Sequence, residues 1–119
     1  MGSFLLVGGS SDIGILLTKK LVEGENKVTL LVRDESRVSD LPEDRVEKFV
    51  GDANDEALVL AAVQSCITSG GGTIDGVAHL VGSFSVRPPH AMNRESFEEV
   101  LSTNLTSAFV TLSVACKQM

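Results

Sequence analysis

Residues Phe4-Leu-Leu-Val-Gly-Gly-Ser-Ser-Asp-Ile-Gly14 run from an apolar stretch through glycines into a segment of helical spacing. A strand, a tight glycine turn and a helix N-terminus make a cradle for a dinucleotide pyrophosphate. The backbone can come close to the phosphates, and orphan N–H groups and the helix dipole meet their charge. A tight bend with no ligand is the competing reading. The turn predicts that a nucleotide binds.

The hydrophobic period organises the rest of the chain. Ser3 to Val7 and Lys27 to Val32 are near-continuous apolar runs and read as strands buried on both faces. Between them Ile13, Leu16, Leu17, Leu21 and Val22 recur at helical spacing, and Gly24 is placed to close the helix through its tolerance of left-handed dihedrals. The three pieces make a βαβ unit of about thirty residues. Residues 34–45 are charged, carry Pro42, and suggest a short helix and a turn. Val46 to Val50 reads as a third strand, Ala57 to Ile67 as a helix begun near Asn54 or Asp55, and Ile74 to Val81 as a fourth strand. Ser69-Gly-Gly-Gly-Thr73 lacks the Gly-Lys-Ser/Thr ending of a phosphate loop and reads as a plain connection. From Asn93, a plausible N-cap, one long helix presents Phe97, Val100, Leu101, Leu105, Ala108, Phe109, Leu112 and Cys116 as an apolar stripe. Strands alternating with helices imply an α/β fold, a parallel sheet covered by helices on both faces.

Composition narrows the partners. At 119 residues, 43% apolar and 22% charged, the chain reads as one soluble globular domain over 1–119. No apolar run reaches the roughly 18 residues of a membrane span. A net charge of −6 with ten dispersed basic residues argues against nucleic acid. The N-terminus lacks the basic region and cleavage site of a signal peptide, which predicts a cytoplasmic protein. Leu6 stands where a myristoylation motif needs Ser or Thr. The Asn104-Leu-Thr106 sequon predicts no glycan without secretion. Cys66 and Cys116 lie in apolar helical patterns with no metal-ligand spacing, so both are expected as small core side chains and no metal site is expected.

Taken together, Val7-Gly-Gly-Ser-Ser-Asp-Ile-Gly14, Asp52-Ala53 after the third strand, Asp75-Gly-Val-Ala-His-Leu-Val-Gly82 in the fourth and Ser102-Thr-Asn-Leu-Thr106 in the last helix resemble the short-chain dehydrogenase/reductase family, in family order and across the whole chain. The resemblance implies a Rossmann-like sheet of about four strands in the order 3-2-1-4. It also implies that Gly8 and Gly14 are the first and last glycines of the family turn, and that Ser10, Ser11 and Ile13 line the pyrophosphate and adjoining ribose. Asp12 departs from the pattern, standing where a middle glycine is common; its carboxylate must point away from the phosphates, as an N-cap could. Asp52 would accept from the adenine amino group or merely cap the following helix, with Ala53 beside it. Gly82 permits backbone approach to the cofactor, although His79-Leu80 replaces the usual amides. His79 is expected as a hydrogen-bonded structural residue and His90 as exposed.

Cofactor choice turns on the end of the second strand, Leu31-Val32-Arg33, which carries no carboxylate at Val32. A guanidinium matches a phosphate bidentately, so Arg33, with Arg37 in support, predicts NADP, with NAD as the less favoured cofactor. The alternative is that Arg33, Asp34, Glu35 and Arg37 form only a solvated charged turn. Asn104 matches the asparagine of the family's catalytic group, which positions a water in a proton relay. The family's proton donor is a tyrosine in a Tyr-x-x-x-Lys motif, and these 119 residues contain no tyrosine.

Three readings therefore stand. One is the cofactor-binding N-terminal half of an oxidoreductase acting on a carbonyl or alcohol, inactive by itself. Another is a half-domain that assembles or binds without catalysis, and the last is an α/β protein with no nucleotide. With the fourth strand at an open edge and the last helix carrying an unmatched apolar stripe, the family's sheet order predicts a homo-oligomer through one or both.

Overall fold

The computed structural model describes residues 2–119. Four parallel strands, β1 (Ser3–Val7), β2 (Lys27–Val32), β3 (Val46–Val50) and β4 (Gly76–His79), form one sheet in the order β3-β2-β1-β4. Three strands keep the bounds their apolar runs predict. The fourth is shorter, because pairing with β1 stops at Val7↔His79, where the chain of β1 turns away at Gly8. At the other end of that pair, the Ser3 amide donates to the Asp75 carboxylate at 2.8 Å and the Asp75 amide donates back to Ser3.

Alternation along the strands divides the core into two layers. Leu5, Val7 and Leu31 point to one face, where they meet Val59, Ala62, Val63 and Cys66 of α2 (Glu56–Ser69) and Val110, Val114 and Ala115 of α4 (Ser107–Gln118). Leu6, Val28, Leu30 and Val32 point to the other, where α1 (Asp12–Glu23) lays down Ile15, Leu17, Leu21 and Val22, and Val38 and Leu41 close the end. Both faces of the sheet are thus covered. This is why β1 and β2 read as continuous apolar runs rather than alternating ones.

Two helices turn differently from their apolar spacing. On α1 the buried line is Gly14 and Thr18, and Ile13 and Leu16 stand 70% and 61% exposed. Small residues let the helix close on the turn before it, and that contact sets its rotation. The expected last helix runs unbroken from Arg94 to Gln118, as α3 (Arg94–Leu101) and α4 continuous through a π turn over Ser102–Thr106. The side of α4 that packs on the sheet and α2 is Ser107, Val110, Thr111, Val114 and Ala115. The stripe from Leu101 to Leu112 is left in solvent, and Cys116 with it: of the two expected core cysteines only Cys66 is buried. The segment after β2 forms the expected short helix, of 3-10 type over Glu35–Val38, followed by turns before β3.

The end of α1 also corrects an expectation. Gly24 has φ −81° and the left-handed residue is the next one, Glu25, at φ 62°. The Glu25 amide donates to Val22 and the Asn26 amide to Leu21, the paired bonds of a Schellman cap. A side chain in that conformation costs roughly 1–2 kcal/mol. Replacing Glu25→Gly should therefore raise stability by about 1 kcal/mol, read as a higher midpoint in urea at unchanged slope.

Candidate functional site

The loops that leave the C-terminal ends of all four strands enclose a cleft of about 490 Å³. Open parallel sheets bind ligands at this end. Its floor is the glycine turn. Gly8 has φ 87°, and a Cβ there would lie 2.9 Å from the backbone of Leu80 and Val81. A Cβ on Gly14 would lie 2.8 Å from the backbone of Gly9. The first glycine therefore brings the turn against the end of β4, and the last brings α1 against the turn.

This packing leaves donors over. The Gly8 and Gly9 amides bond Leu31 at the end of β2, the Ser11 amide bonds Gly8, and the Ser11 hydroxyl caps α1 by accepting from the Gly14 amide at 3.1 Å. Among the described residues the amides of Ser10, Asp12 and Ile13 have no partner, and they cluster at the positive end of α1. That is the polar complement of a phosphate.

Gly8, Ser10, Ser11, Arg33, Asp52, Ala53 and Gly82 line the cleft. Ile13 and Gly14 do not: the first projects into solvent and the second is packed beneath the turn. Asp12 is the first residue of α1 rather than its cap, and it lies outside the cleft lining and meets Arg37, with 2.6 Å between Oδ1 and Nη2. At the same rim Arg33 stands 4.0 Å from Asp52. Asp34 caps the 3-10 turn. The hydroxyl and amide of Ser36 both donate to it and hold its carboxyl below the usual value. Asp52 does not cap α2; Asp55 does, accepting from the Ala57 and Leu58 amides, while Asp52 accepts from the Asn54 amide in a local turn.

Asn104 lies in the π turn, outside the cleft lining. Its Oδ1 accepts from the Ser83 amide at 3.0 Å, and its Nδ2 donates to the carbonyls of Ser83 at 2.9 Å and Val100 at 2.8 Å. Val100 is the acceptor that the Asn104 amide would use in a regular α-helix. Taking it with the side chain favours the wider turn, in which the Ser107 amide reaches back to Ser102. The side chain thereby fixes the loop after β4 to the helix that crosses it.

Below this junction Ser107 donates to the Thr103 carbonyl, so its oxygen accepts from His79 Nε2–H at 2.9 Å. His79 is thus the hydrogen-bonded structural residue its strand position suggested. Cleft residues that the sequence reading did not single out include Asn54, Ser83, Ser85, Arg87, Glu99 and Thr103. The hydroxyls and guanidinium in Ser83-Phe84-Ser85-Val86-Arg87, directly after a strand, were a usable signal. The contribution of α3 was not, since it depends on how that helix crosses the sheet. Among the described residues no group of His, Cys, Asp and Glu could hold a metal ion, and no helix is long and apolar enough to cross a membrane.

A parallel sheet of this order, with a glycine turn under a cleft at its C-terminal edge, defines a Rossmann-like α/β protein. The short chain dehydrogenase family profile matches residues 3–119, and the chain belongs to that family. Among solved structures it is similar to a short-chain type dehydrogenase/reductase from Mycobacterium ulcerans, at 20% identity and TM-score 0.89 over 99% of this chain and 46% of that one. It is also similar to a short chain dehydrogenase/reductase from Saccharomyces cerevisiae, at 21% and 0.88 over 99% and 49%, and to one from Serratia marcescens, at 22% and 0.81 over 99% and 52%. The chain spans about half the length of these proteins. No curated protein sequence matches it.

Burial lowers the pKa of His79 from its ordinary value of 6.5. As pH falls below 6.5 the unfolded chain takes up the proton first, so this contribution to stability is complete above that value and is lost as pH drops toward the folded pKa. Urea unfolding across pH 5–7.5 should show a slope of that sign, and His79→Gln should flatten it.

Proposed function

We propose that this chain binds NADP(H) and forms the cofactor-binding half of an oxidoreductase acting on a carbonyl or alcohol. The three unpartnered amides at the N-terminus of α1 carry the reading, because orphan N–H groups at the positive end of a helix, under a glycine turn, are the polar complement of a pyrophosphate. A bound nicotinamide supplies or takes the hydride. Ser10 and Ser11 hold the pyrophosphate, Asp52 accepts from the adenine amino group with Ala53 packed beside it, and Gly82 lets the loop after β4 approach the cofactor. Asn104 acts as a positioning residue, fixing Ser83 and the π turn behind that loop. Arg33, 71% exposed at the end of β2 and only loosely paired, is free to turn onto a ribose 2′-phosphate.

Calorimetric titration tests this directly. NADP should bind more tightly than NAD, and Arg33→Ala should reduce the difference about five- to tenfold. Equal affinities would overturn the choice of cofactor, and an Arg33→Ala variant with its preference intact would overturn the role of Arg33.

The open edge of β4 favours a second, compatible reading, that the chain associates with itself. Beside that edge Phe4, Leu6, Leu17, Leu21, Gly76 and Ala78 line an apolar groove of about 220 Å³, and on the opposite face Leu105, Phe109 and Leu112 are 57–67% exposed. Unpaired strand edges and apolar patches promote association. Sedimentation at tens of micromolar should show a dimer or larger species, and Phe109→Glu should shift it toward monomer if the helical stripe is the contact.

A further inference from the structure

The ribose end of the cleft carries more charge than a phosphate site needs, and the charges cancel. Arg37 lines the cleft, and one of its nitrogens already lies 2.6 Å from the carboxylate of Asp12, the residue that departs from the family turn. We propose that Asp12 is a specificity-determining residue of the nucleotide site, which weakens capture of a ribose 2′-phosphate by holding one edge of the Arg37 guanidinium. The inference rests on reading the cleft as a dinucleotide site.

Two effects of Asp12 oppose each other. As a strut between α1 and the 3-10 turn it restricts Arg37, which would favour binding. As a charge it repels a dianionic phosphate brought to the same guanidinium. The first effect is small: the Asp12 side chain is 93% exposed and Arg37 48%, and solvent-exposed pairs restrict their partners weakly. The second is larger, because phosphate and carboxylate on one guanidinium lie well inside the Debye length of about 8 Å at physiological ionic strength. Repulsion therefore dominates. Asp12 contacts no other side chain through a hydrogen bond or ion pair among the described residues, so the charge can be removed with little disturbance to the turn. The Asp52–Arg33 pair at 4.0 Å acts in the same sense, although Asp52 has its own place at the adenine.

The test uses two adenine nucleotides that differ only at the ribose, 2′,5′-ADP and 5′-AMP, titrated calorimetrically into the 119-residue chain and its Asp12→Asn variant. Asp12→Asn should tighten 2′,5′-ADP about fivefold and change 5′-AMP less than twofold, with the gain shrinking in 0.5 M salt. In an Arg37→Ala background the gain should vanish, which a general effect on folding would not produce. Asp12→Glu, which keeps the charge, should behave as the unsubstituted chain. An unchanged or reduced preference for 2′,5′-ADP in Asp12→Asn, or a gain that persists without Arg37, overturns the inference while leaving the dinucleotide reading intact. Failure of the unsubstituted chain to bind either nucleotide overturns that reading, and this inference with it.

Discussion

Backbone meets backbone at the centre of this molecule. The turn from Gly8 to Gly14 lies under the end of β4 on one side and against the first turn of α1 on the other, at separations that leave no room for a Cβ at either glycine. The cleft depends on that approach. It brings the start of α1, with its unpartnered amides, to the end of the sheet where the loops after β2, β3 and β4 converge. It also sets the rotation of α1, so that Thr18 is buried and bonds the Gly14 carbonyl while Ile13 and Leu16 are left outside.

A second constraint comes from one side chain. Asn104 uses both ends of its amide on the backbone of Ser83 and Val100, and in doing so widens the helix into a π turn. The cost of an irregular helix is offset by bonds that tie a loop with few other polar contacts. His79 and Ser107 continue the same junction beneath it. The two ends of the cleft are therefore built differently, with exposed ion pairs at the end lined by Arg33 and Arg37 and a bonded polar junction under the loop after β4.

Much of this was legible in the residues. The bounds of β1, β2 and β3 followed from apolar runs ended by glycine or charge, because strands buried on both faces admit little else. Asn93 as a cap, the tight glycine turn and the interior place of Cys66 were equally plain. The errors share a cause. The apolar spacing of α1 and of the last helix identified where leucines recur, whereas the buried faces were chosen by small residues: Gly14 and Thr18 on α1, Ser107, Thr111 and Ala115 on α4. Close helix packing favours small side chains, and hydropathy gives them little weight.

The amino-acid sequence alone determined the family, the alternation of strand and helix and the place of the tight glycine turn between β1 and α1, since each rests on local periodicity or on residues whose lack of a side chain is itself the signal. Tertiary structure decided which carboxylate meets which arginine, and that Asn104 bonds Ser83 21 residues away. These depend on distances between segments remote in the chain. Such distances exist only once the sheet has set the spacing of its strands and the helices have closed on its faces.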